Sequence, residues 1–306
     1  MENLDINNKN SPIFRNIIDP NDATKRQHLI SEIKETLESA VITYTANVGQ
    51  PGSGIMLQDA ILMEDILRTV SDQKKGVLML TSSGGDPNAA EKLMQMFRKR
   101  FPDSFQIIVP FYAKSAATLM CLGSDKICMG YGSELGSIDP QIQLIGGEGF
   151  IPARAYLDGL NDIRKKVKEE GDPINLYYGM LQQLKPQYLA ICRTAIDESR
   201  ITAQKWLEEY MLNDNPEQAK LVANWLSDGT TYRSHGKPID FKEAKEKLKL
   251  NVDELDKDSD LWQKIWEVFL RTIYHAQVTN NAKLFESKTN SLGMSVNIAS
   301  IGTKRK

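Results

Sequence analysis

Ser115 stands where an apolar run meets a helical pattern, in Ala113-Lys114-Ser115-Ala116-Ala117, with an alanine two residues to either side. Small neighbours let a hydroxyl sit at the edge of a sheet with the space before it open, which is the logic of a nucleophile elbow with alanine replacing glycine. Upstream, Gly84-Gly85-Asp86-Pro87 follows another apolar run and also opens a helix. Helix N-termini at the carboxyl ends of neighbouring strands leave backbone N–H groups unpaired, and such donors stabilise a tetrahedral oxyanion. The chemistry suggested is acyl transfer. Its oxyanion site is drawn from Gly84, Gly85 and Ala116, with the donors at Gly85 and at Ala116, and losing one donor should raise the barrier by roughly 3–4 kcal/mol. Each feature alone has an ordinary reading, since serines cap helices and glycine pairs make turns.

The elements that must position these residues follow from periodicity. The branched apolar runs 77–80 and 105–109 read as buried parallel strands, and Ala89, Ala90, Leu93, Met94 and Phe97 mark a helix capped by Asp86 with Pro87 at its first position. A strand over 40–46, a helix over 58–70 with Ile61, Leu62, Ile66 and Leu67 on one face, and the strand at 77–80 form a parallel crossover unit. A further strand is expected over 126–129, with the loop 130–141 returning across the site. Ahead of this core lie a polar tail of twenty-odd residues and a helix over 24–37 containing His28, read as a surface or packing residue. Behind it the pattern turns helical, over 153–170, 176–184, 186–198, 203–212 and 217–225. The charge run from Arg164 to Glu170 reads as a solvated face. An acidic linker over 253–260 precedes a C-terminal helix with Leu261, Ile265, Val268, Phe269 and Thr272 on one side. Trp262 and Trp266 on the adjoining stripe suit subunit contact or packing on the core, and His275 should be inert.

Composition narrows the class. A chain of 306 residues with 41% apolar residues has ample material for a core, and a net charge of −2 with pI near 6.0 leaves no electrostatic footprint for nucleic acid. The basic terminus 303–306 is too short to alter that. Cys121, Cys128 and Cys192 are too few for a disulfide framework and read as buried, reduced thiols. No metal-ligand spacing, phosphate-binding loop, targeting segment or long apolar span is visible. The expectation is a cytoplasmic protein with no cofactor, no metal and no membrane span. It would need a separate unfoldase or adaptor to act on folded proteins.

Four stretches together resemble the Clp protease/crotonase superfamily, most closely its serine dehydrogenase proteinase (SDH proteinase) branch, related to signal peptide peptidase A. They are Ser83-Gly84-Gly85-Asp86 with Ala89-Ala90-Glu91-Lys92-Leu93, Val109-Pro110, Ala113 to Leu119, and Glu134-Leu135-Gly136-Ser137-Ile138-Asp139-Pro140-Gln141. A weaker echo lies at Ser234-His235-Gly236-Lys237-Pro238-Ile239 and Glu243-Ala244-Lys245. The resemblance implies an α/β fold with a spiral core of parallel βα units. The parts would be an N-terminal tail and helix over 1–37, a serine peptidase domain over 38–255 with a helical insertion over 150–226, and a C-terminal helical extension over 256–306. It also implies a homo-oligomer, with subunit contacts sought on the insertion and the Trp-bearing helix, and proteolysis of peptides or unfolded segments.

A serine hydroxyl needs a base within hydrogen-bond reach. Clp proteolytic subunits use histidine and aspartate, whereas signal peptide peptidase A uses lysine. Here Ile138-Asp139-Pro140 occupies the expected histidine position, and His235 lies close to where the aspartate is expected. One reading is an exchanged triad, with His235 as base and Asp139 orienting it, since geometry and role matter more than chain order. The bland counterpart is a turn capped by Asp139 and a polar loop completed by His235. A second mechanism gives the base role to Lys114, or to Lys165, Lys166 or Lys168 if one of those were buried. Two other function classes stay open: a crotonase-like acyl-thioester enzyme using the same oxyanion hole, and a catalytically silent assembly module.

Overall fold

The computed structural model describes residues 17, 22–70, 73–143, 149–232 and 234–295. Most of the expected N-terminal tail and the whole of the basic terminus lie outside the described residues. α1 (Ala23–Leu37) starts at Asp22, whose side chain accepts from Lys25 N at 2.9 Å, and leads into β1 (Ala40–Ala46). The crossover units follow as α2 (Asp59–Thr69), β2 (Lys75–Thr81), α3 (Pro87–Arg100) and β3 (Ser104–Val109). Asp86 caps α3 by accepting from Asn88 N at 2.9 Å, with Pro87 in the first turn, where its missing N–H costs nothing. Next come β4 (Tyr112–Ala113), α4 (Ala116–Leu122), β5 (Lys126–Met129) and β6 (Glu134–Leu135). The short pair β7 (Gln141–Gln143) and β8 (Phe150–Pro152) opens the helical block α5 (Ala153–Lys168), α6 (Tyr178–Gln183), α7 (Pro186–Glu209) and α8 (Pro216–Ser227). The chain closes with β9 (Val252–Glu254), α9 (Asp260–Val278), β10 (Lys283–Glu286) and β11 (Ser291–Met294).

The main sheet has seven strands in the order β11-β10-β1-β2-β3-β5-β9. β1, β2, β3, β5 and β9 run parallel, whereas at the edge β10 pairs antiparallel with β1, and β11 antiparallel with β10. Both faces are covered, which is why the central strands are almost continuously apolar. On one face Leu29, Ile30 and Ile33 of α1 and Trp262, Ile265 and Val268 of α9 pack on Val41, Val77, Met79 and Ile108. On the other, Ile42, Leu78, Leu80 and Ile107 meet α2, α3, α4 and the later helices. The fold is α/β with a largely parallel sheet, and the carboxyl ends of β2 and β3 carry the glycine and serine turns.

The structure departs from the sequence expectations in several places. The helices expected over 186–198 and 203–212 are one helix, α7, because no glycine or proline interrupts it after Pro186 and its polar middle is held by tertiary contact, Ser199 Oγ donating to Ile138 O at 2.8 Å. The core face of α2 is Met63, Ile66 and Leu67, while Ile61 is exposed. The acidic stretch after 252 begins as β9, paired with β5, so it is not wholly a linker. Finally, the segment 256–306 does not stay a helical extension, since β10 and β11 complete the main sheet and α9 lies on its face. Trp262 is accordingly core. In the region 150–226, Ala203, Trp206 and Leu207 of α7 and Val222 and Leu226 of α8 join the main core, while Ala153, Tyr188 and Cys192 form a small cluster with Ile142.

Candidate active site

Ser115 joins β4 to α4 with φ 50° and ψ −122°, a conformation that an L-residue adopts only under constraint. The constraint is visible on both sides. Before the serine, Ser82 N donates to Tyr112 O at 3.1 Å and Lys114 N to Ser82 O at 3.0 Å, so the strand is stitched to the end of β2. After it, Ala117 N donates to Lys114 O and Leu119 N to Ser115 O, both at 2.9 Å, which winds the first turn of α4. The Ser115 hydroxyl caps nothing and has no hydrogen-bond partner among the described residues. Strain concentrated at an unpaired hydroxyl is what a nucleophile elbow requires and what a helix cap does not.

The glycine turn lies directly against this elbow. A Cβ placed on Gly84, whose φ is 97°, would fall 2.7 Å from Ser115 Cβ and 3.0 Å from Ala116 N. Gly85, at φ 152°, forms a parallel bridge with Ile55: Ile55 N donates to Gly84 O at 2.8 Å and Asp86 N to Ile55 O at 2.9 Å. In such a bridge the N–H of the middle residue faces away from its partner. The Gly85 N–H therefore stays free of Ile55, and the Ala116 N–H, first in its helix, has no intrahelical acceptor. Gly85→Ala would put a methyl 2.3 Å from Ile55 N. Strain of about 1–3 kcal/mol is expected from the backbone alone, with Ile55 displaced as well. A fall in melting temperature together with slower acylation of Ser115 is the expected outcome, read by calorimetry and probe labelling.

His235 and Asp139 meet. His235 Nδ1 lies 2.8 Å from Asp139 Oδ1, and the same carboxylate oxygen accepts a short hydrogen bond from Ser137 Oγ. Asp139 is buried, while the His235 side chain is 22% exposed. A carboxylate can only accept, so Nδ1 carries the proton, and in the neutral ring the lone pair is on Nε2. Backbone register brings the pair together. Leu135 and Ile239 exchange both hydrogen bonds of an antiparallel bridge, at 2.9 and 3.0 Å, so four residues on from Leu135 and four back from Ile239 are Asp139 and His235. Ile138 N donates to Leu226 O at 2.8 Å, and Gly136 N to Thr118 Oγ1 at 3.0 Å, which ties this loop to α8 and to α4. The loop 130–141 thus returns to the elbow.

Lys114 is placed differently. Its Nζ donates to Leu135 O at 2.9 Å and pairs with Glu134 Oε1 at 2.8 Å, so the side chain clamps the elbow to β6 with its donors engaged by two acceptors. Lys165, Lys166 and Lys168 lie on the solvent side of α5 and lack the burial that a neutral lysine base needs. Thr118, Glu134 and Ser137 stand in the resembling stretches but were given no role from sequence, and Ile55 was missed altogether.

The thiols are a separate population. Cys121, Cys128 and Cys192 are free and buried; burial pushes the Cys121 and Cys192 thiols up and holds the Cys128 thiol at about 11. Thiolate is the reactive form. N-ethylmaleimide at neutral pH is therefore expected to leave hydrolytic activity intact, with all three thiols titrating only after unfolding. Rapid inactivation of the native protein would point to a thiol nucleophile instead. Among the described residues no group of three or more His, Cys, Asp or Glu side chains could hold a metal ion, and no helix is long and apolar enough to cross a membrane.

A parallel α/β sheet whose strand ends bear a glycine turn and a strained serine elbow defines a ClpP-like class. The sequence profile of the ClpP-like SDH-type serine proteinase family matches residues 14–283, and the chain belongs to that family. Two uncharacterised proteins of Methanocaldococcus jannaschii (strain ATCC 43067) are similar in sequence. One is 28% identical over 235 residues, covering 74% of this chain and 73% of its own length; the other is 27% identical over 204 residues, covering 63% and 59%. Among solved structures, a mutant of the 1510-N membrane-bound stomatin-specific protease aligns with a TM-score of 0.43 at 14% identity, covering 69% of this chain and 79% of that one. A second mutant, in complex with a substrate peptide, aligns at 0.42 and 15%, covering 79% and 83%.

Proposed function

We propose that this protein is a serine peptidase that hydrolyses peptide bonds in peptides or unstructured protein segments through an acyl-enzyme on Ser115. In this reading His235 Nε2 takes the hydroxyl proton as Ser115 Oγ bonds to the scissile carbonyl carbon. The oxyanion accepts from Gly85 N–H and Ala116 N–H, and the imidazolium returns its proton to the departing amine. Water then repeats the sequence on the ester and frees the acid. Asp139 keeps the proton of the resting imidazole on Nδ1, and Gly84 lets the turn approach the serine. The observation that carries the proposal is the uncapped Ser115 hydroxyl, held at positive φ against the Gly84–Gly85 turn.

Folded substrates would require a separate unfoldase or adaptor, since the sequence has no phosphate-binding loop. Exposed Leu176, Tyr178, Met180 and Ile201 on the helical block support subunit contacts there in a homo-oligomer. On α9 Trp262 packs in the core, whereas Trp266 is only partly buried.

The test is incubation with a fluorophosphonate probe, read by intact mass and peptide mapping. One adduct per chain on Ser115, with fluoride as the leaving group, is expected, alongside hydrolysis of fluorescein-labelled casein. Absence of an adduct, with saturable binding of coenzyme A, would favour an acyl-thioester enzyme and refute the peptidase.

A further inference from the structure

Lys283 and Asp59 form a completely buried ion pair, with neither side chain exposed to solvent. Lys283 lies on β10, and Asp59 opens α2. Desolvation lowers the Lys283 pKa, so its charge stays in the interior at a cost. An apolar pair of similar volume would often serve stability as well or better. The ion pair therefore calls for an account beyond stability, and its remaining hydrogen bonds supply one.

Two of these bonds lead to the segment that supports the glycine turn, and a third, from Tyr44, ties Asp59 to β1. Lys283 Nζ donates to Asp59 Oδ1 and, at 2.8 Å, to Gly54 O. Asp59 Oδ2 accepts from Met56 N at 2.9 Å and from Tyr44 Oη at 2.7 Å. Gly54 and Met56 are thus gripped on either side of Ile55, one by its carbonyl and the other by its amide. Ile55 in turn donates to Gly84 O and accepts from Asp86 N, with Gly85 between them. The fit tolerates no slack, since a single methyl on Gly85 would fall 2.4 Å from Ile55 O.

We infer that the Asp59–Lys283 pair is a positioning device for the oxyanion site, fixing Ile55 and through it the Gly85 N–H. This rests on the serine peptidase reading above. A charged pair suits the task because it holds a carbonyl and an amide at fixed separation by directional bonds, whereas an apolar pair of equal volume fills space without aiming anything. Misplacing a preorganised donor by a fraction of an ångström slows the bond-forming step and leaves ground-state binding alone.

Asp59→Asn tests this with little change of shape, because one face of the amide turns an N–H toward Met56 N or Tyr44 Oη. The variant is compared with wild type for the second-order rate of fluorophosphonate labelling at Ser115, for kcat and KM on fluorescein-labelled casein, and for thermal unfolding. The charge-free pair Lys283→Met with Asp59→Leu is carried in parallel, and reads the same quantities if the single variant does not fold. Labelling and kcat lower by about 10–100-fold, with KM within about twofold of wild type, are expected in a variant that remains folded. A folded variant that labels at the wild-type rate overturns the inference and leaves the peptidase reading intact. So does one whose loss lies wholly in KM. Wild type that takes no label at Ser115 overturns both.

Discussion

Ser115→Ala is expected to lower kcat for peptide hydrolysis by about 10⁵–10⁶-fold, to abolish fluorophosphonate labelling, and to leave stability within about 0.5 kcal/mol of wild type. The contrast between the two readouts discriminates. A serine that served as a helix cap would lose about 1 kcal/mol of stability on truncation, but the Ser115 hydroxyl bonds nothing among the described residues and so has no such contribution to lose. Ser115→Gly sharpens the comparison, because glycine adopts φ 50° without the strain that serine and alanine share. Its melting temperature should exceed that of both while its activity matches that of the alanine variant. Activity lost together with stability in Ser115→Ala would return the residue to a structural role; calorimetry beside casein hydrolysis decides between them.

Much of this site was legible because its signals are local. Gly84-Gly85-Asp86-Pro87 announces a tight turn and a capped helix, and Ala113 to Ala117 announces a small-residue elbow, each readable within a few residues. The central strands were legible because burial on both faces leaves them almost nothing but apolar residues. What stayed hidden depends on partners far away in sequence. β10 reads Lys283-Leu284-Phe285-Glu286, with a charge at each end that looks like solvent exposure. Both charges are buried, the lysine against Asp59, 224 residues away, and the glutamate against Arg26, 260 residues away. Thr272 and Ser291 complete the glutamate's hydrogen bonding. No periodicity reports such pairing, so the strands that close the sheet were missed. For the same reason Ile55, an ordinary apolar residue between Gly54 and Met56, gave no sign that it sets the height of the glycine turn. Asp139 and His235 were legible as residue types, but their meeting depends on the Leu135–Ile239 bridge, a register that only the folded chain defines.

That register underlies the second large effect. Asp139→Asn is expected to lower kcat by about 10⁴-fold while the protein stays folded, and His235→Ala to approach the loss seen with Ser115→Ala. Asp139 is buried and accepts from both Ser137 Oγ and His235 Nδ1. Both bonds fall on one oxygen, so an asparagine keeps them only with its amide oxygen in that place; turned the other way, it presents its N–H groups to the ring and to Ser137 Oγ. If the amide N–H faces the ring, Nδ1 becomes the acceptor and the proton moves to Nε2, the atom that accepts from Ser115 in the proposed mechanism. The base is then present in the wrong tautomer. In the proposed triad serine, histidine and aspartate act as one unit, so a double Ser115→Ala and His235→Ala variant should be no slower than the Ser115→Ala variant alone. Lys114→Ala supplies the opposing arm: it cuts the clamp to Glu134 and Leu135 and should reduce stability while Ser115 still takes the probe. Full labelling in His235→Ala with none in Lys114→Ala would transfer the base role to the lysine, and with it the ancestry of the mechanism from the histidine-using to the lysine-using branch of the superfamily.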